Sequence, residues 1–439
     1  MRPLWLLFGV LMTACGSTVE NQVAADADVG VDIDAAARPR LGTSDLPCEV
    51  DAVLGRSCQS CHGNTPTFGA PMPLDRRADL LAPSPTEPGK KVWETVKDRV
   101  HRAPEAPGRM PQKPNPNLLE SELATLDKYF AAGLPASSCA GDGADPKPPT
   151  VSCTPDVALR PKTKWAMPKT TRDEYVCYGF EYAPTEKRHI VGLLPKIANP
   201  KIVHHILLMQ SDAPVSGTPQ PCAEFSIARY RMLYAWAPGV GGYELPKEAG
   251  LPSEPTGTHF VVQTHYNNTQ SLSGQDDDSG FDLCTTNELR PNDADVLAFG
   301  SSKFAIPAKS NLDITARWVV PAGFGDIHAI GAFPHMHQLG KYIGTTLQPK
   351  SGAPSVDLGT DPRFDFSSQF FAPLPNVTLR PGDVVETRCI WENSSSRGVA
   401  WGENTDDEMC FSFTLYYPRV QTKPWSWGTP AFLSTTEIN

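Results

Sequence analysis

The stretch FVVQTHYNN, residues 260–268, is rich in aromatic and β-branched residues and contains a histidine, His265. Such a composition favours a β-strand. A second stretch of this kind, DIHAI at residues 326–330, precedes another histidine group. The chain also has 34 glycines and 44 prolines, which disfavour long helices and indicate short strands joined by many turns. The larger part of the chain is therefore predicted to be all-β.

Length and composition limit the classes of protein that the chain can belong to. Its 439 residues suggest about three domains at roughly 150 residues each. With 39 basic against 49 acidic side chains, the net charge of −10 excludes a nucleic-acid role that depends on phosphate neutralisation. Eleven cysteines are typical of an oxidising compartment.

Five histidines fall into three groups: His204 with His205, His265 alone, and His335 with His337. Residues i and i+2 of a strand face the same side, so His335 and His337 can chelate one metal ion. Adjacent residues face opposite sides, so His204 and His205 need a bulge or a strand end to share an ion with His265. The grouping predicts two metal sites.

The chemistry of the ligands narrows the choice of metal. Imidazoles suit zinc, copper, iron or nickel. The late motif DDEMC, residues 406–410, adds Met409, whose thioether is a soft ligand that favours Cu(I).

In this order, His-His, HYNN, His-x-His and EMC resemble the motifs of the copper type II, ascorbate-dependent monooxygenases. LYAWA at 233–237 and PKEAG at 246–250 resemble the dopamine β-hydroxylase branch of that family. The resemblance covers about residues 150–420. It implies two antiparallel β-sandwich subdomains, 153–292 and 293–425, with one copper ion on each.

The resemblance also implies roles for the ligands. His204, His205 and His265 would form the electron-storing copper site, and His335, His337 and Met409 the site where dioxygen and substrate react. His328 matches a family histidine that is not a ligand. The implied reaction converts R–H, O2, two electrons and two protons into R–OH and water.

An N-terminal haem is predicted by CQSCH, residues 58–62, because C-x-x-C-H supplies two thiols for the haem vinyl groups and an axial histidine. A redox dithiol is the alternative. Met110-Pro111 follows, and then a pattern at helical spacing from Leu118 to Phe130. This order resembles class I cytochrome c over residues 46–140.

In that resemblance Cys58 and Cys61 bind the haem c covalently, and His62 and Met110 are its axial ligands. Met72 and His101 are alternatives to Met110. Ligation by His and Met leaves no open position, so the haem would pass electrons from an external donor to the copper ions.

With Cys58, Cys61 and the N-terminal Cys15 set aside, eight of the eleven cysteines remain, which is an even number. Spacing alone does not fix their pairing. The monooxygenase resemblance implies Cys153–Cys284, Cys177–Cys222 and Cys389–Cys410, and it leaves Cys48 and Cys139 to close the haem domain.

The N-terminus predicts export. Its apolar run, LWLLFGVLM at residues 4–12, is much shorter than the ~20 residues of a membrane span. It leads into LMTAC, which resembles the lipobox of bacterial lipoproteins, so residues 1–15 are predicted to be a signal peptide with Cys15 as the lipidated residue. An ordinary cleaved secretory signal is the alternative.

Residues 16–45 are predicted to be a disordered acidic tether, or alternatively a short helix, and residues 141–152 a linker. The expected location is the cell envelope, in the periplasm, at the outer membrane or on the cell surface. The lipid would be the only membrane attachment.

Three phenylalanines bear on the substrate. The peptide-hydroxylating branch of the family has an arginine, an asparagine and a tyrosine where this chain has Phe333, Phe411 and Phe413. We therefore expect a small uncharged or aromatic organic substrate rather than a peptide ending in glycine.

Other classes of function fit less well. A blue-copper reductase needs a cysteine thiolate ligand, and the expected pairings leave none. A zinc hydrolase of the H-E-x-x-H type lacks its motif here. The alternative that remains is a copper-binding or copper/haem electron-transfer lipoprotein without turnover.

Overall fold

The computed structural model describes residues 44–139, 151–420 and 435–438, apart from short gaps. The gaps are 65, 67–69, 104–105, 112–117, 172, 183, 212, 223–229, 238–239, 256–258, 269–270, 363, 365, 367–368, 370 and 403–405. The predicted signal peptide with Cys15, the tether up to residue 43 and the linker up to residue 150 lie outside the described residues.

A small helical region precedes the strands. Its helices are α1 (Cys48–Ser57), α2 (Gln59–His62), α3 (Arg77–Leu81), α4 (Val92–Val100) and α5 (Glu120–Ala131). Leu126 and Phe130 lie four residues apart on one face of α5 and are buried in the shared core of this region. The helix predicted from Leu118 to Phe130 is therefore present, with its start at Glu120. None of the helices in the described part of the chain is long and apolar enough to cross a membrane.

Residues 157–293 form a β-sandwich. Its strands are β1 (Val157–Leu159), β2 (Trp165–Met167), β3 (Asp173–Glu181), β4 (Arg188–Lys196), β5 (Val203–Ser211), β6 (Gln220–Pro221), β7 (Tyr230–Trp236), β8 (Tyr243–Glu244), β9 (Ala249–Ser253), β10 (His259–Asn267), β11 (Gln275–Asp277), β12 (Gly280–Thr286) and β13 (Asn292–Asp293). One sheet has the order β1-β12-β4-β9-β13 with β8 beside β4, and the other has the order β6-β3-β10-β5-β7. Strands β2 and β11 pair separately, and the pairing of β9 with β13 is parallel.

Strand β10 lies in the middle of its sheet, and hydrophobic cores cover both of its faces. Phe260 and Val262 point into the main core of the sandwich. Val261 points the other way, into a small second core beside Met209 and Cys177. The strand that carries His265 is therefore packed on both faces.

A second sandwich follows. Its strands are β14 (Asp295–Gly300), β15 (Ala305–Ile306), β16 (Ser310–Val319), β17 (Ile327–His335), β18 (Gly340–Gln348), β19 (Val356–Asp361), β20 (Ala372–Leu379), β21 (Val384–Asn393), β22 (Val399–Ala400), β23 (Phe411–Tyr417) and β24 (Thr435–Ile438), with a 3₁₀ turn at Ala322–Phe324. The two main sheets have the orders β14-β23-β17-β20 and β19-β18-β21-β16-β24. Strand β24 pairs with β16, so this sandwich extends beyond its predicted end at residue 425.

One hydrophobic core crosses from the first sandwich into the second. It contains Phe281 and Leu251 of the first sandwich together with Phe411 and Leu415 of the second. A buried ion pair joins the same halves, with Arg231 Nη1 at 2.7 Å from Asp295 Oδ2. The two sandwiches are therefore held in a fixed relative position.

The structure joins the same four cysteine pairs that the sequence leads us to expect. They are Cys48–Cys139, Cys153–Cys284, Cys177–Cys222 and Cys389–Cys410.

Candidate metal centres

Adjacent strand residues face opposite sides, and a bulge in strand β5 removes this obstacle for His204 and His205. Across β10 and β5, His265 pairs with His205, but the next residue, Tyr266, pairs with Val203. His204 is therefore the extra residue of the bulge. Because a bulge sets two residues opposite one, His204 and His205 can both turn their rings towards His265.

The three rings converge on one point. Their candidate ligand nitrogens all lie within 4.8 Å of one another. The Nδ1 atoms of His204 and His205 are 3.1 Å apart. All three side chains are buried. We call His204, His205 and His265 the three-histidine cluster.

Burial keeps the imidazoles of His204 and His205 neutral. It lowers the pKa of His204 and of His205 well below the ordinary value, and the neighbouring His265 adds to the effect. A neutral imidazole offers a lone pair, which is the form that binds a metal ion.

The Nδ1 atom of His265 is a buried ring nitrogen in a position to bind a metal ion. Nε2 of His265 lies 2.6 Å from the carboxylate Oδ1 of Asp173, which fixes the proton on that nitrogen. Tyr175 stacks on the same ring at 4.2 Å between centroids and holds its orientation. Among the described residues, no hydrogen-bond partner reaches the buried Nδ1 atom of His265. Since a buried polar atom without a partner is costly, a metal ion fits there.

The second group of histidines lies where β17 ends and turns into β18. His335 is the last residue of β17, and the His337 ring lies 5.2 Å from it at an angle of 80°. Nδ1 of His337 donates to the backbone carbonyl of Asp407 at 2.9 Å. Nδ1 of His335 donates to Oε1 of Gln369 at 2.7 Å, and the Gln369 amide is oriented by its own bond to the Phe366 carbonyl. Both rings are left with Nε2 as the available ligand atom.

Burial also lowers the pKa of His335, to about 4, although the bond to Gln369 opposes this change. The ring is therefore neutral at neutral pH, as metal binding requires.

Met409 shares a cavity with His335 and His337. It lies on the segment before β23, between Glu408 and Cys410, and its side chain is buried. We call His335, His337 and Met409 the methionine cluster. Glu408 is fully buried, and this burial raises its pKa to about 7 although several N–H donors act in the other direction.

The cavity opens on both clusters. Its empty volume, counted out to the open solvent at its mouth, is about 670 Å³. His205 lines it together with His335, His337 and Met409. Its other lining residues are Tyr175, Leu207, Met232, Gln263, Phe333, Phe366, Gln369 and Phe413. Among the described lining residues there is no Asp, Glu, Lys or Arg. The walls are therefore mainly apolar, and their polar groups are imidazoles, two amides and the Tyr175 hydroxyl.

Phe366 lies between the two clusters. Its ring centroid is 5.0 Å from that of His204 and 5.9 Å from that of His337. A side chain of the second sandwich thus contacts a ligand ring of the first, and the two clusters are neighbours separated by an aromatic ring.

The C-x-x-C-H residues lie where α1 meets α2. Cys58 is the residue between the two helices, and Cys61 and His62 are on α2. His62 is buried, and its Nδ1 donates to the Met72 carbonyl at 2.7 Å, so Nε2 is the ring nitrogen that could bind a metal ion. Met110 follows α4, is half-buried, and donates its backbone N–H to the Arg99 carbonyl.

Two of the other histidines have ordinary partners. His101 is exposed and lies 3.0 Å from Asp127, and His328 stacks on Tyr417 with its Nδ1 near the Thr378 hydroxyl. Neither belongs to a cluster of histidines.

Sequence reasoning missed Asp173, Phe366, Gln369 and Glu408. Of these, only Glu408 lies within a motif that the sequence shows, DDEMC at residues 406–410, and the ligand predicted from that motif is the neighbouring Met409. The other three have no local signal, because each reaches its histidine through tertiary contact alone.

Comparison with protein families gives two adjoining matches. Residues 161–273 match the Copper type II ascorbate-dependent monooxygenase, N-terminal domain, and residues 292–426 match the C-terminal domain of the same family. Together they cover more than half of the chain.

Similar curated proteins agree with these matches. DBH-like monooxygenase protein 1 of Homo sapiens is 28% identical over 263 residues, which are 54% of this chain and 43% of that protein. Dopamine beta-hydroxylase of Bos taurus is 28% identical over 274 residues, 56% of this chain and 44% of that protein. Peptidyl-glycine alpha-amidating monooxygenase A of Xenopus laevis is 27% identical over 258 residues, 56% of this chain and 27% of that protein. The chain spans less than half the length of these relatives.

Removing the carboxylate behind His265 should weaken metal binding at the three-histidine cluster. Asp173→Ala is expected to lower the Cu(II) affinity there about 10- to 100-fold, because the ring loses its orienting partner. A titration against a competing chelator measures the effect. Asp276→Ala removes an exposed carboxylate from β11 and serves as the control. An unchanged affinity in Asp173→Ala would show that the contact is incidental.

Proposed function

The chain belongs to the copper type II ascorbate-dependent monooxygenase family, and we propose that it hydroxylates a C–H bond of a small organic substrate with O2. The reaction takes R–H, O2, two electrons and two protons to R–OH and water. Its enzyme class is that of a copper-dependent monooxygenase.

The observation that carries this proposal is the cavity shared by the two clusters. His205 of one cluster and His335, His337 and Met409 of the other line the same apolar space. Bound copper would supply the one-electron redox steps and the activation of dioxygen. The chain supplies imidazoles held in fixed orientations by hydrogen bonds and cavity walls that are largely apolar.

The ligand sets differ, and the difference supports a division of roles. The three-histidine cluster is all nitrogen, whereas the methionine cluster adds a soft sulfur that favours Cu(I). We assign the substrate reaction to the methionine cluster, because Phe333 and Phe413 line the cavity beside it. The three-histidine cluster would hold the second electron.

The cavity also supports a substrate class. A charged substrate group would find no ionic partner among its described lining residues, while Leu207, Met232 and the phenylalanine rings offer an apolar surface. The amides of Gln263 and Gln369 could orient one polar group. We therefore propose an uncharged, apolar or aromatic substrate.

We further propose that residues 46–140 hold one covalent haem c. Cys58 and Cys61 would bind it and His62 would ligate its iron, which would supply reversible one-electron transfer. The buried His62 ring, with Nδ1 already engaged, fits this role. Haem and copper on one chain suggest a route from an external donor through the haem to the copper ions.

Met110 is the proposed sixth ligand. The backbone of Met72 lies on the Nδ1 side of His62, behind the ligand atom, so its sulfur is poorly placed for the opposite face of a haem. His101 is exposed and engaged by Asp127. Both observations favour Met110 over the two alternatives.

For localisation we propose export and a lipid on Cys15. Four disulfides suit an oxidising compartment. Labelling with radioactive palmitate, in the wild type and in Cys15→Ser, tests the anchor.

Rapid mixing tests the electron route. Fully reduced, copper-loaded protein is mixed with O2, and the haem absorbance is followed in the wild type and in Met409→Ala. We expect the haem of the wild type to be oxidised at least about tenfold faster than the haem of Met409→Ala. The reason is that the complete methionine cluster would hold the copper through which the haem electron reaches O2.

The copper-free wild type is the control, and it should match the slow variant. Equal rates in all three samples would leave the haem an independent carrier. That result would favour a copper-binding or electron-transfer protein without turnover.

Equilibrium binding tests the substrate class. Neutral aromatic compounds should bind the copper-loaded protein saturably, and a glycine-extended peptide should bind at least about tenfold more weakly because its carboxylate finds no partner in the cavity. Quenching of tryptophan fluorescence provides the measurement. Tight, saturable binding of the peptide would contradict the proposed class.

A further inference from the structure

Glu408 is a buried carboxylate beside the methionine cluster, and its side chain is fully buried. Its Oε2 accepts a hydrogen bond from the backbone N–H of His337 at 3.0 Å and another from the indole N–H of Trp391 at 2.9 Å. Its Oε1 accepts one from the backbone N–H of Leu339 at 2.6 Å. One side chain therefore gathers three donors from two other segments.

These donors link the two halves of the methionine cluster. The amides of His337 and Leu339 belong to the turn between β17 and β18, which carries a histidine ligand. The backbone of Glu408 continues directly into Met409. The carboxylate thus connects the turn that holds His337 to the segment that holds the sulfur.

The backbone of Glu408 is itself fixed. Its N–H donates to the Ala400 carbonyl, and its own carbonyl accepts from Gly402. On the other side of Met409, Cys410 is bonded to Cys389. The methionine is therefore anchored at both neighbours. The Glu408 carboxylate extends this anchoring to the backbone of the histidine turn, beside the single bond from the His337 ring to the Asp407 carbonyl.

A purely structural link would not need a buried carboxyl group. Burial of a carboxylate is costly, and packed apolar side chains join strands without that cost. What the carboxylate adds is direction, because two oxygens accept from N–H groups of several segments at fixed distances. This matters most where ligand atoms must meet at one ion.

We infer that Glu408 is a positioning residue that holds the His337 turn and Met409 at the spacing needed for one copper ion to bind both. The inference rests on the proposed copper function for the identity of the ion. It assigns Glu408 no contact with the ion or the substrate.

Glu408→Gln is the sharpest test, because it changes the side-chain volume little. The amide keeps one acceptor oxygen, but its NH2 group faces N–H donors from which it cannot accept. At least one link must open. Glu386→Gln is the matched control, since it makes the same change on β21, the strand of Trp391, where the partner is Arg317 at 3.1 Å.

The readouts are copper stoichiometry and X-ray absorption at the copper edge of the reduced protein. The wild type and Glu386→Gln should bind two copper ions and show copper–sulfur scattering. Glu408→Gln should keep the copper of the three-histidine cluster, lose the copper–sulfur contribution, and bind the second copper at least about tenfold more weakly. Two copper ions with unchanged sulfur scattering in Glu408→Gln would overturn the inference.

A second variant covers the case in which Glu408→Gln does not fold. Trp391→Phe removes one donor to Oε2, replaces the indole by a smaller aromatic ring and leaves the carboxylate in place. We expect a several-fold loss of affinity confined to the methionine cluster. An unchanged affinity in Trp391→Phe would overturn the inference in that case. A wild type without copper–sulfur scattering would instead refute the proposed copper site, so the two failures are distinct.

Discussion

The hydrogen bonds that fix one ring nitrogen of a buried histidine are the constraint on which both candidate sites depend. A ring that donates from one nitrogen to a fixed acceptor must present its other nitrogen as a lone pair. His265 donates to Asp173, His335 to Gln369, and His337 to the Asp407 carbonyl. Burial then keeps His204, His205 and His335 neutral. The protein itself therefore orients the ring nitrogens that would bind a metal ion.

The packing of the two sandwiches places the three-histidine cluster next to the methionine cluster. The hydrophobic core that crosses the two sandwiches and the Arg231–Asp295 pair hold the halves together. Phe366 of the second sandwich reaches the ring of His204 in the first. The distance between the clusters is therefore set by packing, and this explains how one apolar cavity can serve both.

Much of this arrangement is readable in the sequence where a motif has a geometric consequence. Adjacent histidines required a bulge or a strand end, and the structure has a bulge at His204. The spacing of His335 and His337 predicted two rings on the same side of one strand. The rings do lie 5.2 Å apart, but β17 ends at His335 and the turn that follows brings His337 to it. The orienting groups were not readable, because Asp173 and Gln369 lie 92 and 34 residues away from their histidines. Strand β24 was missed because it follows a stretch without a strand pattern and is defined by its pairing with β16.

An anomalous-scattering crystal structure of the copper-loaded protein, recorded at the copper absorption edge, tests the central claim most directly. The account predicts one copper peak among His204, His205 and His265 and a second among His335, His337 and Met409, both open to the same cavity. A single peak, or a second peak without Met409 as a ligand, would contradict it.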